Sequence, residues 1–166
     1  AKRAVEDVAR IYAERYGINS IGFRYFSVYG YPERHKGEYA NVISQFIWSM
    51  MGGKRPVLYG DGNQTRDATF ISDVVKANRL AIEMDVKGAK VLNVGTGIQT
   101  SFNEYVKLIN EELGMDIEPK YIENPVHNYV YATKADIMRA KRVLGFKAKV
   151  GIKEGIQKTV EYYQKH

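Results

Sequence analysis

Two short stretches of this 166-residue chain place residue types at spacings that could do chemistry. The first is Tyr59-Gly60-Asp61-Gly62, followed by Gln64, Arg66 and Asp67. Glycines bare the backbone so that its amides and carbonyls can hydrogen-bond a flat base. A guanidinium a few residues on can grip phosphate oxygens through two parallel bonds. The pattern therefore suits a nucleotide. It also suits a plain turn between short strands, with Arg66 and Asp67 as a surface ion pair. The second stretch, Gly95-Thr96-Gly97, follows a strand and precedes a helix, as a dinucleotide-binding turn would. Thr100 stands where that motif needs its third glycine, and no acidic residue follows at the expected place. A tight turn into a well-capped helix accounts for the same residues. His35, His127 and His166 are scattered without ligand spacing, so no metal site is expected. No Gly-x-Ser-x-Gly or comparable nucleophile arrangement occurs.

Composition narrows the field. With no cysteine the chain has no disulfide scaffold, thiolate zinc site or cysteine nucleophile. No apolar run approaches the ~18 residues of a membrane span, and no basic stripe or base-stacking motif argues for nucleic acid. A net charge of +6 fits anionic ligands or simple solubility. The default location is the cytoplasm.

The elements that must position these residues follow from periodicity. Val5, Val8, Ala9 and Tyr12 form one apolar stripe of an opening helix that ends at Gly17, with Lys2, Glu6, Asp7, Arg10 and Glu14 facing water. Residues Ile18–Phe26 predict a mostly buried strand, and a loop runs from Tyr29 to Glu38. Val42, Ile43, Phe46, Ile47, Met50 and Met51 predict a helix stopped by Gly52-Gly53. Short strands are expected over Pro56–Tyr59 and Arg66–Ile71. Ser72 is the expected N-cap of a helix over Asp73–Glu83. A strand over Lys90–Val94 leads to Ser101-Phe102-Asn103-Glu104, a capping box opening a helix that closes at Gly114. A strand over Lys120–Ile122, an irregular stretch from Asn124 to Tyr131, and helices over Lys134–Leu144 and Gly151–Gln164 complete the chain. Strands alternating with helices indicate an α/β fold with parallel pairing.

The order of the motifs adds a family resemblance. Arg24-Tyr25-Phe26-Ser27-Val28-Tyr29-Gly30, then Tyr59 to Asp67, Asp73-Val74-Val75, Asn93 to Gly97, and Ala135-Asp136 with Leu144-Gly145-Phe146 resemble the extended short-chain dehydrogenase/reductases. Among these the chain is most similar to the nucleotide-sugar epimerases and dehydratases, and to the UDP-glucose 4-epimerases above all. The resemblance implies the last strands and helices of a Rossmann-type parallel sheet plus the small C-terminal substrate-binding domain. On that reading, residues 1–30 and 72–114 belong to the Rossmann part and residues 31–71 and 115–166 bind the sugar nucleotide.

The resemblance also implies chemistry. Lys2 and Glu6 match the end of a Tyr-x-x-x-Lys-x-x-x-Glu motif, which puts the catalytic tyrosine just before Ala1 and makes the chain the C-terminal half of an epimerase. Lys2 would hold the nicotinamide ribose of NAD and lower the pKa of that tyrosine. Tyr25 and Phe26 match the nicotinamide pocket. Asn41 and Val42 match positions at the nucleotide diphosphate. Val57 and Tyr59 match the strand whose backbone reads uracil, and Arg66 matches the phosphate-binding arginine. Ser27 departs from the family's usual asparagine at a substrate contact. The segment from Val126 through Asp136 departs from the 4-epimerase pattern and is more similar to that of ADP-heptose 6-epimerases, as is His35-Lys36-Gly37; within it Asn128 and Tyr129 are candidate ribose contacts. The implied reaction is epimerisation of a UDP-sugar by way of a 4-keto sugar, carried out by a longer chain that pairs as a homodimer. A chain with only these residues is expected to be inactive by itself. The alternative outside catalysis is an oligomerising fragment that at most binds nucleotide.

Overall fold

The computed structural model describes all 166 residues. Along the chain run α1 (Lys2–Tyr16), β1 (Ser20–Tyr25), β2 (Val28–Tyr29), a 3-10 segment (Arg34–Tyr39), α2 (Val42–Met51), β3 (Val57–Tyr59), β4 (Thr65–Arg66), β5 (Thr69–Phe70) and α3 (Ile71–Glu83). There follow β6 (Ala89–Val94), β7 (Thr100–Ser101), α4 (Phe102–Leu113), β8 (Lys120–Ile122), α5 (Met138–Leu144) and α6 (Ile152–Lys165). The α/β class and the parallel pairing are as expected. Strand β1 pairs with β6 from Ser20↔Ala89 to Tyr25↔Val94, β2 with β5, and β3 with β8, all parallel; only β4 and β7 run antiparallel.

Local chemistry sets the ends. The Ser101 hydroxyl accepts the Glu104 amide at 3.1 Å and starts α4, as its capping box predicts. Gly17, Gly114 and Gly145 stop their helices in the left-handed conformation.

Four expectations need correction. Strand β1 is half-buried to exposed rather than mostly buried, because β6 is its sole strand neighbour. The run Arg66–Ile71 divides between β4 and β5, since Asp67 turns inward between them and is fully buried. Helix α3 starts at Ile71, so Ser72 lies inside it and caps nothing. Finally, the helix expected from Lys134 begins only at Met138, because the Ala135 amide is bonded to Asp67 at 3.0 Å.

Packing gathers around two centres. The larger holds Ile43, Phe46, Ile47 and Met50 of α2, Leu58 of β3, five residues of α4, and Ile156, Val160 and Tyr163 of α6. The smaller joins Val74 and Ala77 of α3 to Leu92 and Val94 of β6 and to Ala140, Leu144 and Phe146 around α5. Helix α4 thus packs with α2 and α6, and α5 with the β1–β6 sheet. Gly155 lets α6 come close to the larger centre: a Cβ there would collide with the Tyr29 hydroxyl.

Candidate functional site

A cleft of about 770 Å³ opens between α2 and the β3–β4 region. Val42, Gln45, Phe46 and Ser49 of α2 line it. Their i, i+3, i+4, i+7 spacing makes a stripe about 10 Å long, so the cleft runs beside the helix. Ser27, Glu38, Tyr39 and Asn41 lie at the N-terminal end of that stripe, and Arg55, Pro56 and Val57 follow closely on its C-terminal end. Tyr59, Arg66, Phe102 and Tyr129 complete the lining.

Arg66 is one of two cations that line this cleft. Its guanidinium carbon lies 5.5 Å from the centre of the Phe102 ring and 5.2 Å from that of Tyr129. One terminal nitrogen, Nη1, donates to the Thr65 and Tyr131 carbonyls at 2.7 and 3.2 Å. Two aromatic faces and two carbonyls fix the planar head and leave its remaining N–H groups for an anion. Asp67 does not pair with it. Its buried carboxylate accepts the Thr96 and Gly97 amides at 2.8 Å each, the Thr96 hydroxyl at 2.6 Å and the Ala135 amide at 3.0 Å. The Arg66–Asp67 surface pair is therefore excluded. The Gly95–Gly97 turn has its amides bonded to a carboxylate of the chain itself, so it is a closed turn and not a phosphate cradle.

The start of α2 is organised by Asn41. Its Oδ1 accepts the Ile43 amide at 3.0 Å, and its Nδ2 donates to the Val28 carbonyl at 3.0 Å and to the Ser27 hydroxyl at 3.3 Å. This amide ties the start of β2 to the N-terminus of α2, whose positive dipole end faces the cleft. Behind it, buried Glu33 accepts the Ser44 hydroxyl and the Lys36 ammonium, the latter at 2.8 Å.

Strand β3 offers a second kind of recognition. Its β8 side is occupied: the Pro56 carbonyl accepts the Lys120 amide and the Gly60 amide donates to Ile122, both at 2.8 Å. Backbone groups alternate sides along a strand, so those of Val57 and Tyr59 turn to the opposite edge. On that edge the Tyr59 carbonyl already accepts Gln64 Nε2 at 3.0 Å. Val57 N–H, Val57 C=O and Tyr59 N–H remain, in the order donor, acceptor, donor. Beyond the strand, hydrogen bonds from the Asn63 backbone and side chain hold the Asp61 carboxyl below its usual range. Burial raises the Tyr105 phenol, whose hydroxyl donates to the Arg66 carbonyl at 3.3 Å.

Of the residues singled out in the sequence, Ser27, Asn41, Val42, Val57, Tyr59, Arg66 and Tyr129 line this one cleft. Asn128, Lys2, Tyr25 and Phe26 do not. Asn128 adjoins Tyr129 in left-handed backbone (φ 58°). Lys2 is exposed at the start of α1, and the Tyr25 hydroxyl donates to Asn78 at 3.0 Å on the side of α3. Sequence reading missed Glu38, Tyr39, Gln45, Ser49 and Arg55, and counted Phe46 and Phe102 only as core. The available signal was Gln45 and Ser49, polar residues spaced on the α2 stripe with Val42.

Residues 1–95 match the family model described as the NAD dependent epimerase/dehydratase family. The chain belongs to that family. Within it, the chain is 39% identical over 162 residues to a Methanocaldococcus jannaschii protein provisionally named UDP-glucose 4-epimerase, covering 98% of this chain and 51% of the relative. The UDP-glucose 4-epimerase of Thermotoga maritima, solved with UDP-glucose, superposes with a TM-score of 0.90 at 36% identity, over 99% of this chain and 52% of that one. The ADP-L-glycero-D-manno-heptose-6-epimerase of Helicobacter pylori gives 0.85 at 28%, over 98% and 49%. The chain spans about half the length of these epimerases. The NAD-dependent epimerase family, expected from motif order, is therefore the one found.

Proposed function

We propose that this chain is the nucleotide-sugar-binding portion of an NAD-dependent epimerase acting on UDP-glucose and UDP-galactose. What carries this reading is the convergence of Arg66, the N-terminus of α2 and the open edge of β3 in one cleft. Arg66 binds the pyrophosphate, aided by the α2 dipole at Val42. Asn41 serves by capping that helix. The donor–acceptor–donor edge of Val57 and Tyr59 complements the acceptor–donor–acceptor edge of uracil. Adenine presents an amino donor beside a ring acceptor and matches less of it. Tyr129 and Asn128 border the ribose, and Ser27 faces the sugar. Residues 31–71 and 115–166 supply most of this site.

Lys2, Tyr25 and Phe26 suit the nicotinamide end of NAD, beyond the carboxyl end of β1, where ligands of open α/β sheets gather. NAD, when bound, supplies the reversible removal of hydride from the sugar carbon. The phosphates of a dinucleotide find no seat at Gly95–Gly97, whose amides bond Asp67, so the 166-residue chain alone is expected to show no turnover. Conversion of UDP-galactose by this polypeptide would overturn that expectation. The cytoplasm remains its proposed location.

The segment from Val126 to Asp136 favours a second reading, an ADP-heptose 6-epimerase. Calorimetric titration with UDP, dTDP and ADP separates the two. UDP and dTDP are expected to bind more tightly than ADP, and Arg66→Ala to weaken them at least about tenfold, the worth of a charge-assisted hydrogen bond. Preference for ADP would establish the heptose reading. Binding of none would leave the non-catalytic oligomerising fragment.

A further inference from the structure

The proposed nucleotide assignment gives the cleft a direction. The base lies by the β3 edge, the pyrophosphate at Arg66, and the sugar at the end formed by Ser27, Asn41 and Glu38. Charge is distributed unevenly along that axis. Both lining cations, Arg55 and Arg66, lie away from the sugar end, and Glu38 is the one acidic lining residue. Arg55 is anchored farther still, donating to the Glu118 and Pro119 carbonyls at 3.0 and 2.8 Å. The cation nearest Glu38 in sequence, Lys36, is paired with buried Glu33 at 2.8 Å. Glu38 itself enters no ion pair, and its backbone is held in place where Gln45 Nε2 donates to the Glu38 and Ala40 carbonyls at 3.1 and 2.8 Å.

A carboxylate with no cationic partner beside a sugar subsite accepts hydrogen bonds from hydroxyl groups. It repels a second carboxylate, and no cationic side chain at that end offers compensation beyond the partial charge of the α2 N-terminus. We infer that Glu38 makes this site selective for a nucleotide-linked neutral hexose and against the corresponding uronic acid. The inference rests on the nucleotide-sugar reading above and adds the residue that discriminates against the uronic acid.

The test is titration of the 166-residue chain with UDP, UDP-glucose and UDP-glucuronic acid, at low and high salt, for wild type and Glu38→Gln. UDP-glucose is expected to bind about tenfold more tightly than UDP-glucuronic acid at low salt. That gap should shrink several-fold at 1 M salt, where the screening length is ~3 Å. Glu38→Gln should narrow it by tightening UDP-glucuronic acid while UDP, which lacks the sugar, binds as before. Glu38 is exposed, so the substitution leaves the fold intact, and unchanged UDP affinity verifies this in the same experiment. Equal affinities for the two sugars in wild type, or a gap that ignores salt or survives Glu38→Gln, would overturn the assignment while leaving the nucleotide reading in place. Failure to bind UDP at all would remove both.

Discussion

Helices α1 and α2 are both amphipathic by pattern, yet they end in opposite surroundings. Ile43, Ile47 and Met50 of α2 are fully buried, whereas α1 has no buried residue, and Val5 and Tyr16 on its apolar side are 70% and 66% exposed. Pattern alone states which face is apolar. Whether that face is covered depends on a partner surface. Helix α2 finds α4 and α6. Helix α1 lies on a sheet of two strands, where its firmest link is polar: Arg24 grips Glu6 through two bonds of 2.8 and 2.6 Å.

The sharpest way to break this contrast is at the residue that fastens the cleft side. Asp67→Ala strands three amides and a hydroxyl that now share its carboxylate. Each stranded buried donor costs about 1–3 kcal/mol, so a loss above about 3 kcal/mol is expected in urea unfolding. A smaller loss would mean that water replaces the carboxylate. A matched pair comes next. Ile47→Ala in α2 should cost roughly 2–5 kcal/mol, while Val8→Ser in α1 should stay within about 0.5 kcal/mol. The same uncovered face and the open edge of β1 are expected to pair copies of the chain, so light scattering at micromolar concentration should report a dimer that Val8→Ser weakens. A monomer in wild type would count against that assembly.

The smallest effect concerns pH. The hydrogen bond from Arg24, opposed in part by desolvation, holds the Glu6 carboxyl below its ordinary value of 4.5. A depressed folded-state pKa contributes stability above the unfolded value and loses it as the pH falls through the folded one. Amide protection in α1 should therefore drop below about pH 4.5, and Glu6→Gln should abolish that dependence.

These contrasts also bound what was legible in the chain. Helices with a local stop or cap, such as α1 at Gly17, α2 at Gly52 and α4 at Ser101, could be read because their end signals lie within a few residues. Ser72 misled because a serine caps only where the backbone is still extended, and here α3 starts two residues earlier, with Phe70 as its N-cap. The delayed start of α5 depends on Asp67, 68 residues from Ala135, a separation no local pattern records. In the site, the glycine-flanked arginine was legible by residue type. Its aromatic clamp and the polar stripe of α2 were not, since ring faces and cleft walls arise only when distant segments meet.

Asp67 belongs to a pair of such fasteners. Asp73, also buried, opens α3 and accepts the Lys149 and Val150 amides at 2.9–3.0 Å, where the chain passes from α5 toward α6. Each aspartate rivets a segment of one packing centre to a segment of the other. Neither centre can melt without exposing a carboxylate that the other depends on, so heating should give one cooperative transition with no half-folded plateau.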